Sequence, residues 1–148
     1  MMNLTLSDEV YSHAIFLLSR REHFTKELIQ KLTKKGVSDD IISNVIAVLQ
    51  EKNYLNDTRA TEIFALEFKR KKKGFIKLIN ELRIRGVSGV ETMVRELYSV
   101  EEEQNNAEKV LTQLHKPTRE KVYRYLFNRG FSPEIIRRAM EKSYTSKS

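Results

Sequence analysis

A run of five consecutive basic residues, Lys69–Lys73, is the strongest candidate for a binding site in this sequence. Five like charges at a predicted helix end repel one another, and an anionic partner would relieve that repulsion. Phosphates are the first class of ligand to consider, because basic side chains that neutralise them release the counterions condensed on a nucleic acid. One or two bases would complement the helix dipole, so the run favours a binding role over a solvated helix end.

The positive charge of the chain is concentrated in two bands. The 148 residues carry 27 Lys and Arg against 20 Asp and Glu, a net charge of +7. Residues 69–95 hold nine bases against two acids, and residues 116–142 hold eight against three. Such banding favours nucleic acid as the partner. The candidate binding residues are Lys69, Arg70, Lys71, Lys72, Lys73, Lys77, Arg83, Arg85, Lys121, Arg124, Arg129, Arg137 and Arg138. For Arg85 and Arg129, each before a glycine, helix capping explains the charge at least as well.

Three aromatic residues alternate with bases in the second band. Tyr123, Tyr125 and Phe127 could stack on the bases of a single-stranded nucleic acid. Aromatic residues in helices are more often part of the core, however, and Val122 and Leu126 define a core side that could take one or two of these rings. We therefore favour the core interpretation and keep base stacking as the alternative.

Catalysis and metal binding find no support in the sequence. The chain has no cysteine and only three scattered histidines, and it lacks a glycine-rich phosphate-binding loop. The acidic run Glu101–Glu103 is explained by the favourable effect of negative charge at a helix start. We expect a protein without enzymatic activity, cofactor or metal. The sequence also predicts no membrane span and no export signal, hence a cytoplasmic location.

The elements that position these residues are predicted to be helices joined by a repeated turn. Only 5 glycines and 2 prolines occur, which is too few for an all-β fold. Three glycines stand in the same pattern of a base, Gly, an apolar residue and Ser, at residues 35–38, 85–88 and 129–132. The pattern predicts that a helix ends, the glycine adopts a left-handed conformation, the apolar residue folds back, and the serine caps the next helix.

The residues around each turn repeat as well. Apolar pairs stand eight and four residues before each glycine, and a third helix is predicted ahead of each pair, over residues 7–20, 57–70 and 100–115. Ser7, Asp57 and Ser99 are the predicted N-caps, and Ile63 is placed on the apolar side of the second of these helices. The sequence thus predicts an all-α, elongated and curved array of three tandem three-helix repeats. The repeats are residues 1–56, 57–98 and 99–148, and the last ends in a frayed tail from Thr145.

This ordered set of motifs resembles the RecX family, regulators of the bacterial recombinase RecA. The resemblance covers nearly the whole chain. One departure is Asn56, where the family usually has an acid. The motifs are Arg20-Arg21, Thr25, Glu27-Leu28, Lys31-Leu32, Gly36, Tyr54-Leu55-Asn56-Asp57, Arg59-Ala60, Gly74, Glu81-Leu82, Arg85-Gly86-Val87, Arg129-Gly130-Phe131-Ser132 and Ile135-Ile136.

The resemblance implies a non-enzymatic modulator, mainly an inhibitor, that binds in the groove of the RecA–single-stranded-DNA filament. It implies lower ATPase, strand-exchange and co-protease activity of that filament, and thus a role in recombination, DNA repair and the SOS response. The expected partners are RecA, single-stranded DNA and, as an open alternative, double-stranded DNA, with the protein acting as a monomer. The rival hypothesis is a stand-alone nucleic-acid-binding module whose helix–turn–helix-like units bind duplex DNA.

Overall fold

The computed structural model describes residues 7–115 and 117–145, and these residues form α-helices and connecting turns without a β-strand. The predicted all-α class is therefore confirmed. The helices are α1 (Ser7–Arg20), α2 (Thr25–Lys34), α3 (Asp39–Glu51), α4 (Asp57–Arg70), α5 (Phe75–Ile84), α6 (Glu91–Leu97), α7 (Val100–Thr112), α8 (Arg119–Asn128) and α9 (Pro133–Thr145). Helix α9 includes Thr145, the first residue of the tail predicted to be frayed, and residues 146–148 lie outside the described part of the chain.

The chain is organised in two compact units, Met1–Ala60 and Thr61–Ser148. In the first unit, α3 packs against both α1 and α2 around a core that includes Val10, Leu28 and Leu49, all fully buried. In the second unit, α7, α8 and α9 pack against one another around Leu126 and Phe131. The predicted repeat boundaries at residues 56 and 98 stay a prediction.

All three predicted turns have the backbone conformation that the sequence indicates. Gly36, Gly86 and Gly130 have φ values of 82°, 85° and 98°, in the left-handed region that favours glycine. The amide after each glycine bonds back to the carbonyl five residues earlier, from Val37 to Leu32 at 3.2 Å and in the same way in the other two turns. These bonds complete a Schellman motif at the ends of α2, α5 and α8. The predicted apolar pairs are buried: Leu28, Leu32, Leu78, Leu82, Val122 and Leu126.

The predicted serine caps are only partly correct. Ser132 accepts a hydrogen bond from the amide of Ile135 at 3.2 Å, as expected. Ser38 occupies the N-cap position of α3, but its side chain makes no capping bond. In the second turn Gly89 adds another left-handed residue, and α6 starts only at Glu91. The extra turn carries the chain past Ser88 before the helix can begin.

Helix α4 differs from its prediction at two positions. Its N-cap is Asn56, whose Oδ1 accepts from the amide of Arg59 at 2.9 Å, whereas Asp57 accepts from the amide of Thr25 at 2.7 Å. Ile63 is 51% exposed, because the small residues Thr61 and Ala65 occupy the core positions of this helix. The Ser99 capping box of α7 forms as predicted, with Glu102 as its acidic partner.

Candidate polyanion-binding surface

The basic run Lys69–Lys73 spans the end of α4 and the turn that follows. The amide of Lys72 donates to the carbonyl of Lys69 at 3.1 Å, and that of Lys73 donates to the carbonyl of Phe68 at 2.9 Å. This is again a Schellman motif, but here the left-handed residue is Lys72, with φ 56°. A lysine thus occupies a position where a residue with a Cβ is strained by about 1–2 kcal/mol.

This turn is bonded to the junction between α8 and α9. The amide of Gly74 donates to the carbonyl of Arg129 at 2.8 Å, and the amide of Ile76 donates to the carbonyl of Gly130 at 3.1 Å. A Cβ on Gly74 would lie 2.1 Å from the carbonyl carbon of Gly130, and one on Gly130 would lie 2.2 Å from the Cβ of Lys77. Only glycines allow the two backbones to approach so closely.

The side chain of Arg129 completes the same contact. Its guanidinium donates to the carbonyl of Lys71 and, at 3.1 and 3.2 Å, to that of Lys72. The carbonyls of Lys71 and Lys72 therefore hold the guanidinium of Arg129, which belongs to the second basic band, beside the first band. We call this contact between residues 71–77 and residues 129–130 the basic junction. It brings Lys71, Lys72 and Lys77 of the first basic band next to Arg129 of the second. The sequence alone could not show that the two bands meet.

A buried polar cluster supports the basic junction from within. The hydroxyl of Tyr98 donates to the carbonyl of Lys73 at 2.8 Å and accepts from Nδ2 of Asn106 at 3.0 Å. The same Asn106 nitrogen donates to the carbonyl of Lys69 at 2.9 Å. Burial raises the pKa of Tyr98 to about 12. The carbonyls of Lys69 and Lys73 thus accept hydrogen bonds from these side chains, which fixes the course of the basic turn.

Glu103 is the third buried member of this cluster. It is only 1% exposed, and its carboxylate accepts from the amide of Phe75 and from Nη1 of Arg95, each at 2.9 Å. The guanidinium of Arg95 lies 3.6 Å from the centre of the Phe75 ring. Explaining Glu103 only as an acid at a helix start was therefore wrong. No sequence signal distinguishes it from its exposed neighbour Glu101.

Several predicted binding residues, Lys71 among them, form ion pairs at the surface. These pairs include Lys69–Glu102, Arg70–Glu67 at 2.6 Å, Lys71–Glu67 at 3.2 Å, Arg83–Glu91 at 3.4 Å, Arg124–Glu120 at 2.9 Å and Arg138–Glu134 at 2.7 Å. The hydrogen bond from Arg70 lowers the pKa of Glu67, and that from Lys69 lowers the pKa of Glu102. Exposed pairs contribute little stability, so a phosphate could replace either acid as partner.

The remaining predicted residues occupy different surroundings. Arg85 lies 4.6 Å from the ring centre of Phe64 and donates to the carbonyl of Glu81 at 3.2 Å, which fits the capping explanation. Nζ of Lys73 lies 5.1 Å from the ring centre of Phe68. Lys121 and Arg137 are exposed on α8 and α9. Arg83, Arg85 and Arg138 thus contact residues away from the basic junction.

The favoured core interpretation of the α8 aromatic residues was wrong. Tyr123, Tyr125 and Phe127 are 40%, 44% and 53% exposed. The rings of Tyr123 and Phe127 stack on each other with centroids 6.2 Å apart, whereas Tyr125 lies 5.9 Å from the guanidinium of Arg129. One exposed ring therefore adjoins the basic junction.

Among residues 7–115 and 117–145, no helix combines the length and the apolar character that crossing a membrane requires. Over the same ranges, no three His, Asp or Glu side chains come together as a metal site would need.

Two family models match the chain. The model of the first three-helix domain of RecX matches residues 11–49, and that of the third three-helix domain of RecX matches residues 101–140. The chain is 33% identical over 141 residues to the regulatory protein RecX of Prosthecochloris aestuarii, which covers 91% of this chain and 93% of that protein. It is 30% identical over 144 residues to the same-named protein of Pasteurella multocida, covering 89% and 86%.

A solved structure shares the fold. The crystal structure of RecX from Lactobacillus salivarius matches with a TM-score of 0.81 at 21% identity, covering 92% of this chain and 95% of that one. This similarity confirms the predicted tandem helical repeats.

Proposed function

The chain belongs to the RecX family of regulatory proteins, and from this premise we propose that it binds and inhibits the RecA–single-stranded-DNA filament without catalysing a reaction itself. It lodges in the filament groove and lowers ATPase, strand-exchange and co-protease activity. The observation that carries the proposal is the clamp of Arg129 onto the carbonyls of Lys71 and Lys72. It supports a single rigid basic surface made from two bands of the sequence.

The chemistry of the basic junction suits a polyanion. Its cations stand on a turn whose backbone is fixed by part-buried hydrogen bonds, so little loop entropy is lost on binding. Phosphates or acidic filament residues would replace the surface acids, such as Glu67, that now pair with Arg70 and Lys71. The binding should weaken steeply with salt. The other candidate bases stay predicted contacts.

Inhibition follows if the protein prefers one conformation of the filament. A ligand shifts a conformational equilibrium only through its different affinities for the two states. A rigid basic surface that fits the groove of one filament state would hold RecA in that state and lower the activities that depend on the other state. Since the protein needs no chemical step of its own for this effect, the proposal includes no catalytic residue, cofactor or metal.

The second candidate function is a stand-alone nucleic-acid-binding module. Three Schellman turns, at Gly36, Gly86 and Gly130, join successive helices as a helix-turn-helix requires. This alternative predicts tight binding to naked duplex DNA with a sequence preference. The favoured function predicts weak binding to naked DNA that depends little on sequence.

The test is the ATPase activity of a bacterial RecA on single-stranded DNA, with this protein titrated in and the experiment repeated with excess DNA. We expect inhibition at substoichiometric protein that survives the excess. Inhibition that disappears with excess DNA would favour the stand-alone module, because a basic protein would then merely sequester the strand.

A pair of matched variants locates the surface. Lys71→Glu with Lys72→Glu should abolish inhibition, whereas Lys34→Glu with Lys35→Glu should leave it unchanged. Both variants change the charge equally at the C-terminal end of a helix, so they have comparable effects on the helix dipole. Equal inhibition by the two variants would refute the basic junction as the contact surface. The cytoplasmic location and the monomeric state stay predictions.

A further inference from the structure

One exposed ring beside the basic junction has no role in the proposal so far. Helix α8 makes one turn every 3.6 residues, so Lys121, Tyr125 and Arg129 lie one above another on the same flank. Val122 and Leu126 are fully buried, which leaves the flank with Tyr125 outside the core. Tyr123 and Phe127 lie on the opposite flank and stack on each other.

The surroundings of Tyr125 distinguish it from these two rings. The guanidinium of Arg129 lies 5.9 Å from its ring centre and is held in place by the carbonyls of Lys71 and Lys72. The ring is 44% exposed, so part of its surface is available to a ligand. An exposed ring beside a fixed cation, with Lys121 one helical turn away, is the combination that proteins use to bind single-stranded nucleic acid.

We propose that Tyr125 stacks on an unpaired base of single-stranded DNA while Lys72, Lys121 and Arg129 bind the neighbouring phosphates. This inference rests on the proposed function and names the part of the filament that the basic junction contacts. A base in a duplex has both faces covered by its neighbours, whereas an unpaired base can be splayed onto a ring. Every base has such a face, so the contact tolerates any sequence.

The charges around the ring favour DNA over an apolar protein surface. Burying Tyr125 against apolar side chains would also remove the guanidinium of Arg129 from water without an anionic partner, which is unfavourable for a cation. A nucleotide supplies the flat base and the negative phosphate together. The ligand class is therefore a single strand with accessible bases, and not a free phosphate.

The experiment measures the affinity of the full-length protein for three labelled DNAs in the absence of RecA: an oligothymidine, an abasic strand of the same length, and a duplex. The abasic strand keeps every phosphate but offers no base. Stacking on an aromatic side chain contributes about 1–3 kcal/mol per base, so we expect the oligothymidine to bind about 5-fold or more tightly than the abasic strand.

Substitutions on the two flanks of α8 assign that difference to one ring. Tyr125→Leu should bind both strands equally, and Tyr125→Trp should restore the preference for oligothymidine. The matched control, Tyr123→Leu, should keep the wild-type preference, because its ring lies on the other flank. A preference for oligothymidine that persists in Tyr125→Leu would overturn the assignment.

The outcomes also separate this inference from the proposed function. Equal binding of the abasic strand and the oligothymidine by the wild-type protein would overturn stacking and leave the phosphate contacts standing. Failure to bind any of the three DNAs would overturn this inference, whereas the RecA ATPase titration decides the proposed function separately. If Tyr125→Leu instead lost binding to RecA alone, measured without DNA, the ring would belong to a protein contact and the stacking proposal would be wrong.

Discussion

The guanidinium of Arg129 donates hydrogen bonds to the main-chain carbonyl of Lys72 through Nε at 3.2 Å and Nη2 at 3.1 Å. The two residues are 57 positions apart in the chain, and each belongs to a different basic band. The bond uses the backbone of Lys72 and leaves its ammonium group for a ligand. Separate substitutions can therefore change the hydrogen bonds that position the Lys72 turn and the positive charge that Lys72 carries.

The first prediction concerns the strained backbone of Lys72. Replacing Lys72 by Gly removes the strain of its left-handed conformation, and we expect the free energy of unfolding to rise by about 0.5–1 kcal/mol. Lys72→Ala keeps the strain and should change stability by less than about 0.5 kcal/mol. Both variants lose one phosphate contact, so the slope of log K against log salt for single-stranded DNA should decrease by about 0.7. Urea denaturation and salt titration measure the two effects. An unchanged salt slope would exclude Lys72 as a contact.

The close approach of Gly74 and Gly130 makes the second prediction. Gly130→Ala introduces a Cβ against Lys77 at a left-handed position, and we expect a loss of about 3 kcal/mol or more in the free energy of unfolding. Gly36→Ala is the matched control, because Gly36 is also left-handed but a Cβ there would meet no atom within 4 Å. That variant should lose only about 1–2 kcal/mol. Equal losses in urea denaturation would show that the two backbones are not in contact.

Burial of Glu103 makes the third prediction. Glu103→Ala leaves the amide of Phe75 unpaired and Arg95 without its carboxylate. We therefore expect the free energy of unfolding to fall by about 2–4 kcal/mol. Glu103→Gln keeps an acceptor for the amide of Phe75, so its free energy of unfolding should fall by about half as much. The exposed neighbour provides the control, since Glu101→Gln should stay within about 0.5 kcal/mol of the wild type. A Glu103→Ala protein as stable as the control would contradict the buried ion pair.

The raised pKa of Tyr98 makes a prediction about alkaline pH. Its phenol has a pKa of about 12 in the folded protein, against 10.0 as its ordinary value. The unfolded chain therefore loses this proton first, and the stabilisation present below pH 10 is lost as the pH rises toward 12. At pH 11 the loss from this group should reach about 1.4 kcal/mol.

The control is a protein that lacks the phenol. Tyr98→Phe should be about 1–2 kcal/mol less stable at pH 8, because the carbonyl of Lys73 loses its donor. Its stability should then fall less between pH 8 and pH 11 than that of the wild type, because it lacks the phenol that loses its proton. Parallel stability curves for the two proteins over this pH range would refute the raised pKa.

The sequence predicted those parts of the fold that depend on residues close together in the chain. The left-handed glycines follow from a conformation that other residues resist, and the buried leucine pairs follow from helical periodicity. The cap of α4 was missed because Asn56 and Asp57 are both good capping residues in adjacent positions. Ile63 was misplaced because small residues, which give a weak hydropathy signal, occupy the core side of that helix.

The candidate site could be predicted in composition but not in geometry. The bases were identified by their number, yet the contact of Lys72 with Arg129 depends on two glycines that let distant turns meet. Glu103 could not be told from Glu101, since burial of a charge is decided by its partners in the folded chain. The α8 rings were misassigned because aromatic residues in helices are more often part of the core, and residue type alone does not show which rings the fold leaves exposed.

The contact between Gly74 and the Arg129–Gly130 junction also sets when the basic surface comes into being. Synthesis at the ribosome proceeds from the N-terminus, and the lysine turn emerges long before Arg129 does. Until then the carbonyls of Lys71 and Lys72 lack the guanidinium that holds the turn. A nascent chain thus carries the charges without their arrangement, and the basic junction can form only after residues 129–130 have left the ribosome.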